Sequence, residues 1–164
     1  MKVDNILSTF NEAGADYILI GGMNFFFKHE QVLTWDVDFW IAGGDANLAV
    51  VHRALTHLQA EVSLDRKGEQ WRAVAELPSG EWLKRQAVHC LHSPHGPIDI
   101  FLHVPGLEDG FETLKVRCGL ARTPSGVAYR SLSDELMIRC QLALPPQVRK
   151  LDRLRALGYK PGAT

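Results

Sequence analysis

The segment Asp36-Val37-Asp38-Phe39-Trp40-Ile41 constrains the fold more than any other stretch of the chain. Side chains alternate across a β-strand, so Asp36, Asp38 and Trp40 share one face while Val37, Phe39 and Ile41 share the other. One face is apolar and the other carries two acids. About sixty residues later, Ile98-Asp99-Ile100-Phe101-Leu102 places a third acid on the face opposite Ile98, Ile100 and Leu102. Aspartate is depleted in strands, so three of them inside short apolar segments require a reason other than propensity.

The flanking segments supply helices and further strands. Val3, Ile6, Leu7 and Phe10 fall at helical spacing, and Gly14 stands where a left-handed cap ends a helix. Tyr17-Ile18-Leu19-Ile20 reads as a buried strand that stops at Gly21-Gly22, after which Met23 to His29 can make a turn or two of helix. Asp45 is a candidate N-cap for a helix whose Leu48, Val51, Leu55 and Leu58 form an apolar stripe ending near Ala60. Trp71 to Leu77 and Trp82 to Leu91 read as a hairpin joined through Pro78-Ser79-Gly80. After a loop from Pro105 to Gly110, short strands are expected near Val116 and Val127. Ser131-Leu132-Ser133 then caps a helix from about Asp134, Pro145-Pro146 ends it, and Val148 to Leu157 starts another. The expectation is one α/β domain of the α+β kind over residues 1–164: a mixed, strongly twisted sheet with three strand carboxylates on one face, backed by helices.

Composition narrows the function classes. With 164 residues, 46% of them hydrophobic, the chain holds about one domain and a real core, which excludes a disordered tail, a coiled coil and a two-domain enzyme. The 18 basic and 19 acidic residues leave a net charge of -1, so any site for a polyanion must be local. Apolar runs such as Tyr17 to Ile20 fall far short of the roughly 18 residues of a membrane span, and Asp4 and Asn5 stand where a signal peptide would have its apolar core. A soluble, cytoplasmic protein without a membrane partner is expected. Cys90, Cys118 and Cys140 are widely spaced and lack a Cys-x-x-Cys pair, which reads as reduced thiols filling the core. His89, His92, His95 and His103 lie near Cys90, but their spacing alternates strand faces and Ser93-Pro94 implies a loop, so no preformed zinc set follows.

The acids carry the chemistry. Residues i and i+2 of a strand point the same way roughly 7 Å apart, so Asp36 and Asp38 can reach the same or adjacent divalent ions. Hard cations such as Mg²⁺ take oxygen ligands, and two of them about 4 Å apart clamp the attacking and leaving oxygens of a phosphoryl displacement. A third carboxylate from a neighbouring strand completes such a site and can take the proton of an attacking hydroxyl. Gly21-Gly22, between a strand and a helix, leaves backbone N–H groups free to approach a phosphate.

The order strand, Gly-Gly, short helix, Thr34-x-Asp36-x-Asp38, long excursion and Ile98-Asp99-Ile100 resembles the nucleotidyltransferase superfamily with the polymerase-beta-like fold. Within it, the sequence looks most like the small bacterial branch of AbiEii-type toxins and minimal nucleotidyltransferases, over about Asp16 to Leu157. The resemblance implies Asp36 and Asp38 on metals, Asp99 as metal ligand and base, and Gly21 and Gly22 at a triphosphate beside Thr34. Arg149-Lys150-Leu151-Asp152 is similar to the Arg-x-Lys-Asp helix that ends many of these domains. Lys28, Arg139, Arg149 and Lys150 are the cations available to phosphate; Arg149 and Lys150 belong to a basic C-terminal patch with Arg153, Arg155 and Lys160. The implied activity is Mg²⁺-dependent, or Mn²⁺-dependent, transfer of a nucleoside monophosphate from an NTP to a hydroxyl on RNA, protein or a small molecule, in a toxin–antitoxin or antibiotic-resistance setting. Three positions depart from the pattern: Val32 replaces a basic residue, Met23 a serine and Leu151 a lysine. They motivate the alternative of a catalytically weak binding or antitoxin module that works with a partner protein or as a homodimer.

Overall fold

The computed structural model describes residues 1–29, 34–65 and 67–160; Val32 lies outside them. Helix α1 (Val3–Ala13) ends at Gly14, whose left-handed conformation (φ 77°) lets its N–H donate to the Asn11 and Phe10 carbonyls. Strand β1 (Tyr17–Ile20) runs into helix α2 (Gly21–His29), then β2 (Val37–Ile41) and α3 (Asp45–His57) follow. Next come β3 (Glu61–Ser63), β4 (Trp71–Ala73), β5 (Val88–His92), β6 (Ile98–Phe101), α4 (Phe111–Lys115), β7 (Gly119–Arg122), β8 (Ala128–Ser131), α5 (Asp134–Ala143) and α6 (Leu151–Ala156). Among the described residues, the eight strands belong to one sheet in the order β4-β3-β5-β6-β2-β1-β8-β7. It is mixed: β2 runs parallel to β6 and β1 to β8, while the other neighbours are antiparallel. The expected mixed α/β architecture is present.

Alternation in β2 splits the core in two. Val37, Phe39 and Ile41 join Leu19, Ile98 and Ile100 against the apolar faces of α1 and α3. Phe10 stacks on Phe39 at 4.3 Å between centroids, and Tyr17 meets both rings edge-on. On the opposite face Ile18, Ile20 and Trp40 pack with Phe25, Phe111 and Leu136. That face is covered around β1 and β2, but farther out it presents Asp99, Cys90, His92 and Glu61, none of them buried.

Four expectations require correction. No hairpin joins 71–77 to 82–91, because β3 lies between β4 and β5 and pairs with both. Val74–Glu76 and Gly80–Arg85 are instead 3₁₀ turns, the second opened by Ser79, whose hydroxyl accepts from the Glu81 N–H. The apolar residues that mimicked strand alternation, Val74, Trp82 and Leu83, are buried in the core beneath α3. Asp45 is the first residue of α3 and not its side-chain cap; it complements the helix dipole and pairs with Lys84. Val116 is no strand residue, since it ends α4, and the strand begins at Gly119. Finally, α6 starts at Leu151 because Pro146–Val148 forms a 3₁₀ turn. The Ser133 cap is as expected, its hydroxyl accepting from the Leu136 N–H.

The Phe39 ring is fully buried against Phe10 and Tyr17. Phe39→Ala is therefore expected to lower unfolding free energy by about 3–5 kcal/mol, as measured by urea denaturation, and Phe39→Leu by clearly less.

Candidate metal centre

Strand register assembles the acids. Asp38 of β2 stands directly opposite Asp99 of β6, and Cys90 of β5 stands opposite Asp99 on its other side. Ile20 of β1 completes the row beyond Asp38. Asp36, two residues ahead of Asp38, joins from the lead-in to β2. One carboxylate oxygen from each of Asp36, Asp38 and Asp99 lies within 4.8 Å of the others. Trans oxygens of octahedral Mg²⁺ are roughly 4.2 Å apart, so three hard oxygen donors at this spacing fit one divalent cation after small side-chain adjustment. Among the described residues, this is where three or more metal-ligating side chains converge.

The first turn of α2 presses against this group. Gly21 has φ 65°, and a Cβ built on it would collide with Asp38 Oδ2. Only glycine permits both the left-handed backbone and that approach. At Gly22 a Cβ would meet Thr34 Oγ1 at 2.6 Å and an Arg153 guanidinium nitrogen at 3.1 Å. Thr34 Oγ1 in turn donates to Asp36 Oδ1, fixing that carboxylate. Strand, glycine turn and acids thus form one contiguous unit.

Crowding of like charge shapes the electrostatics. Burial pushes the Asp38 carboxyl up to about 7, the charges of Asp36 and Asp99 push it further the same way, and the Gly22 N–H and Arg153 oppose them. Asp99 is also raised, chiefly by burial; a hydrogen bond from Cys90 works against the shift. Partial desolvation of its sulfur, and then Asp99, push the thiol of the otherwise exposed Cys90 up to about 11, so it stays a neutral donor.

The expected site residues separate into two groups. Asp36, Asp38, Asp99, Gly21, Gly22 and Thr34 come together as described above. Lys28 instead pairs with Asp134. Arg149 donates to the Leu142 and Leu144 carbonyls at the end of α5, and the Lys150 N–H donates to Gln141 Oε1. Arg139 pairs with Asp109. Arg153, named in the sequence only as part of a basic patch, is the cation that reaches the acids, its guanidinium lying over the Phe25 ring at 5.6 Å. The reading of Cys90 as a core residue is overturned: it is exposed, because buried His89 and Leu91 occupy the other face of β5. The histidines are dispersed, with His89 bonded to the Leu83 carbonyl, His92 against Trp71 and His95 beside Asn5. Of the tryptophans flanking the acids, Trp40 is core and Trp35 is 74% exposed.

No protein-family model matches the chain, and no curated protein sequence matches it.

Asp38 fixes a pH dependence. Its folded pKa lies above the unfolded value, so the folded state holds more protons between about pH 4 and 7, and this contribution to stability falls as pH rises through that window. A divalent cation must displace the same proton. Metal-free protein should therefore melt lower at pH 8 than at pH 5.5, and the rise in melting temperature on adding Mg²⁺ or Mn²⁺ should be larger at pH 8. In Asp38→Asn, both trends should flatten; a metal-induced shift independent of pH in the unsubstituted protein would contradict this account.

Proposed function

We propose that the chain is a divalent-metal-dependent nucleotidyltransferase that moves a nucleoside monophosphate from an NTP to a hydroxyl acceptor. The observation that carries the reading is the contact between Gly21 and Asp38. An anion-binding turn at a helix N-terminus and a trio of hard metal donors share one wall, as a metal-bound triphosphate requires. Mg²⁺ or Mn²⁺ bound by Asp36, Asp38 and Asp99 would supply charge neutralisation at the reacting phosphate. Every other contribution comes from the chain.

The backbone N–H groups at the start of α2 orient the triphosphate, and Arg153 adds a cation on the same side. Asp99, raised by burial toward the range of a useful base, takes the acceptor's proton. The acceptor oxygen bonds to the α-phosphorus as the bond from that phosphorus to the β-phosphate oxygen breaks, and pyrophosphate leaves. Catalysis of this kind rests on positioning and charge compensation.

A second reading is favoured by one observation: Lys28 and Arg149, two of the expected phosphate cations, are engaged elsewhere. A nucleotidyltransferase-like module that binds a partner protein without turnover is consistent with that. The two part on transfer of label from α-³²P NTPs to RNA, protein or small-molecule acceptors with Mg²⁺. Under the first reading Asp36→Ala and Asp38→Ala lower transfer by ~10²-fold or more, and Arg153→Ala raises the KM for NTP about tenfold. Under the second, no acceptor is labelled and a pull-down returns a stable partner. Host growth on expression distinguishes acceptors: arrest points to a toxin, protection from an aminoglycoside or lincosamide to a resistance enzyme.

A further inference from the structure

A half-open cavity of about 200 Å³ lies beside Asp38 and Gly21, between the sheet and the last two helices. Pockets that hold a whole small ligand measure roughly 300–1,000 Å³, so this one suits a single ring system with the rest of its ligand outside. Its walls are apolar, with Phe25 and Phe101 contributing rings. Gly21, Asp38 and Arg153, the groups assigned above to phosphate and metal, line the same cavity. A ligand with a flat ring against the apolar walls and phosphates beside those three groups is a nucleotide.

One wall gives the cavity a polar identity. Met137, Cys140, Gln141 and Leu144 fall at helical i, i+3, i+4 and i+7 spacing and all line it. Gln141 is the one amide among them. The Lys150 N–H, which can only donate, binds Gln141 at 2.7 Å, and this makes the bound atom the oxygen. The amide therefore has its NH₂ to offer, and among the described residues no acceptor meets it. Cys140, the other polar side chain of the stripe, has its thiol pushed up to about 12 by burial and offers no anion.

Resting on the nucleotidyltransferase reading, we propose that this cavity holds the base of the NTP and that Gln141, through its NH₂, selects bases with a carbonyl where adenine and cytosine carry an amino group. Guanine O6 and uracil O4 accept from that NH₂, whereas the amino groups of adenine and cytosine meet it donor to donor. Gln141 is a specificity residue here, acting on binding and taking no part in the bond-breaking step.

The test is calorimetric titration of the full chain with GTP, UTP, ATP and CTP, each with Mg²⁺, together with inorganic tripolyphosphate and Mg²⁺. Gln141 is half-buried, so GTP and UTP are expected to bind about threefold tighter than ATP and CTP, as one hydrogen bond at a partly exposed side chain gives. Gln141→Glu should reverse the order, since its second oxygen accepts from an amino group. Equal affinity for the four nucleotides, or a preference that Gln141→Glu leaves intact, overturns the assignment of Gln141 while Mg²⁺-dependent NTP binding keeps the transferase reading. If neither tripolyphosphate nor any NTP binds, both fall.

Discussion

Holding three carboxylates within 4.8 Å of one another is the condition the rest of this molecule is arranged around. Like charges at that distance in a partly desolvated setting repel strongly. The fold answers in two ways, one local and one distant in sequence. Locally, Thr34 fixes Asp36 through its hydroxyl, and the Gly22 N–H faces Asp38. Distantly, Arg153 arrives from α6, more than a hundred residues beyond the glycines, and faces Asp38 from above Phe25. Burial, with the remaining repulsion added to it, raises the Asp38 carboxyl to about 7. Such a group is poised to exchange its proton for a divalent cation.

Sheet topology makes the cluster possible. Parallel β2 and β6 set Asp38 and Asp99 side by side at the same level, which a shift of one residue would abolish by turning one acid into the core. That register is secured from the opposite face, where Val37, Phe39, Ile98 and Ile100 are wholly buried. The apolar half of each acid strand therefore positions its polar half. α2 is secured independently: Asn24, fully buried, donates to the Leu132 carbonyl and accepts from Ser131 Oγ, tying the helix after the glycine turn to the end of β8.

Much of this was legible in the sequence, and the parts that were not have physical reasons. Alternation in 36–41 and 98–102 gave the acid strands and their facing because one side of each is committed to the core. Gly14 and Ser133 announced helix ends through their own backbone and side-chain chemistry. The hairpin reading of 71–91 failed because strand-like apolar spacing also arises when 3₁₀ turns pack under a helix, as Trp82 and Leu83 do. Phosphate cations were harder still. Arg149 and Lys28 matched by position, but where a long flexible side chain points depends on carbonyls and carboxylates brought near by tertiary structure. Arg153 was one of several basic residues in its segment until α6 packed on Phe25.

The acid row has a pocket near each of its flanks, and on the transferase reading this bears on where the two reactants would sit. Asp38 borders the apolar cavity beneath α5 and α6. Cys90, the neighbour of Asp99, borders a second pocket along β3–β5 with Trp71, Ser63 and Gln86 on its walls. A ligand in the first pocket meets Asp38 and Gly21; one in the second meets Cys90, which stands against Asp99. On the transferase reading, a triphosphate in the first pocket would leave the second for an acceptor approaching Asp99, the acid with a hydrogen-bonding thiol in place of a glycine turn beside it. An in-line displacement needs the two oxygens on opposite sides of the phosphorus, and on that reading a row of acids with a pocket near each flank would suit it.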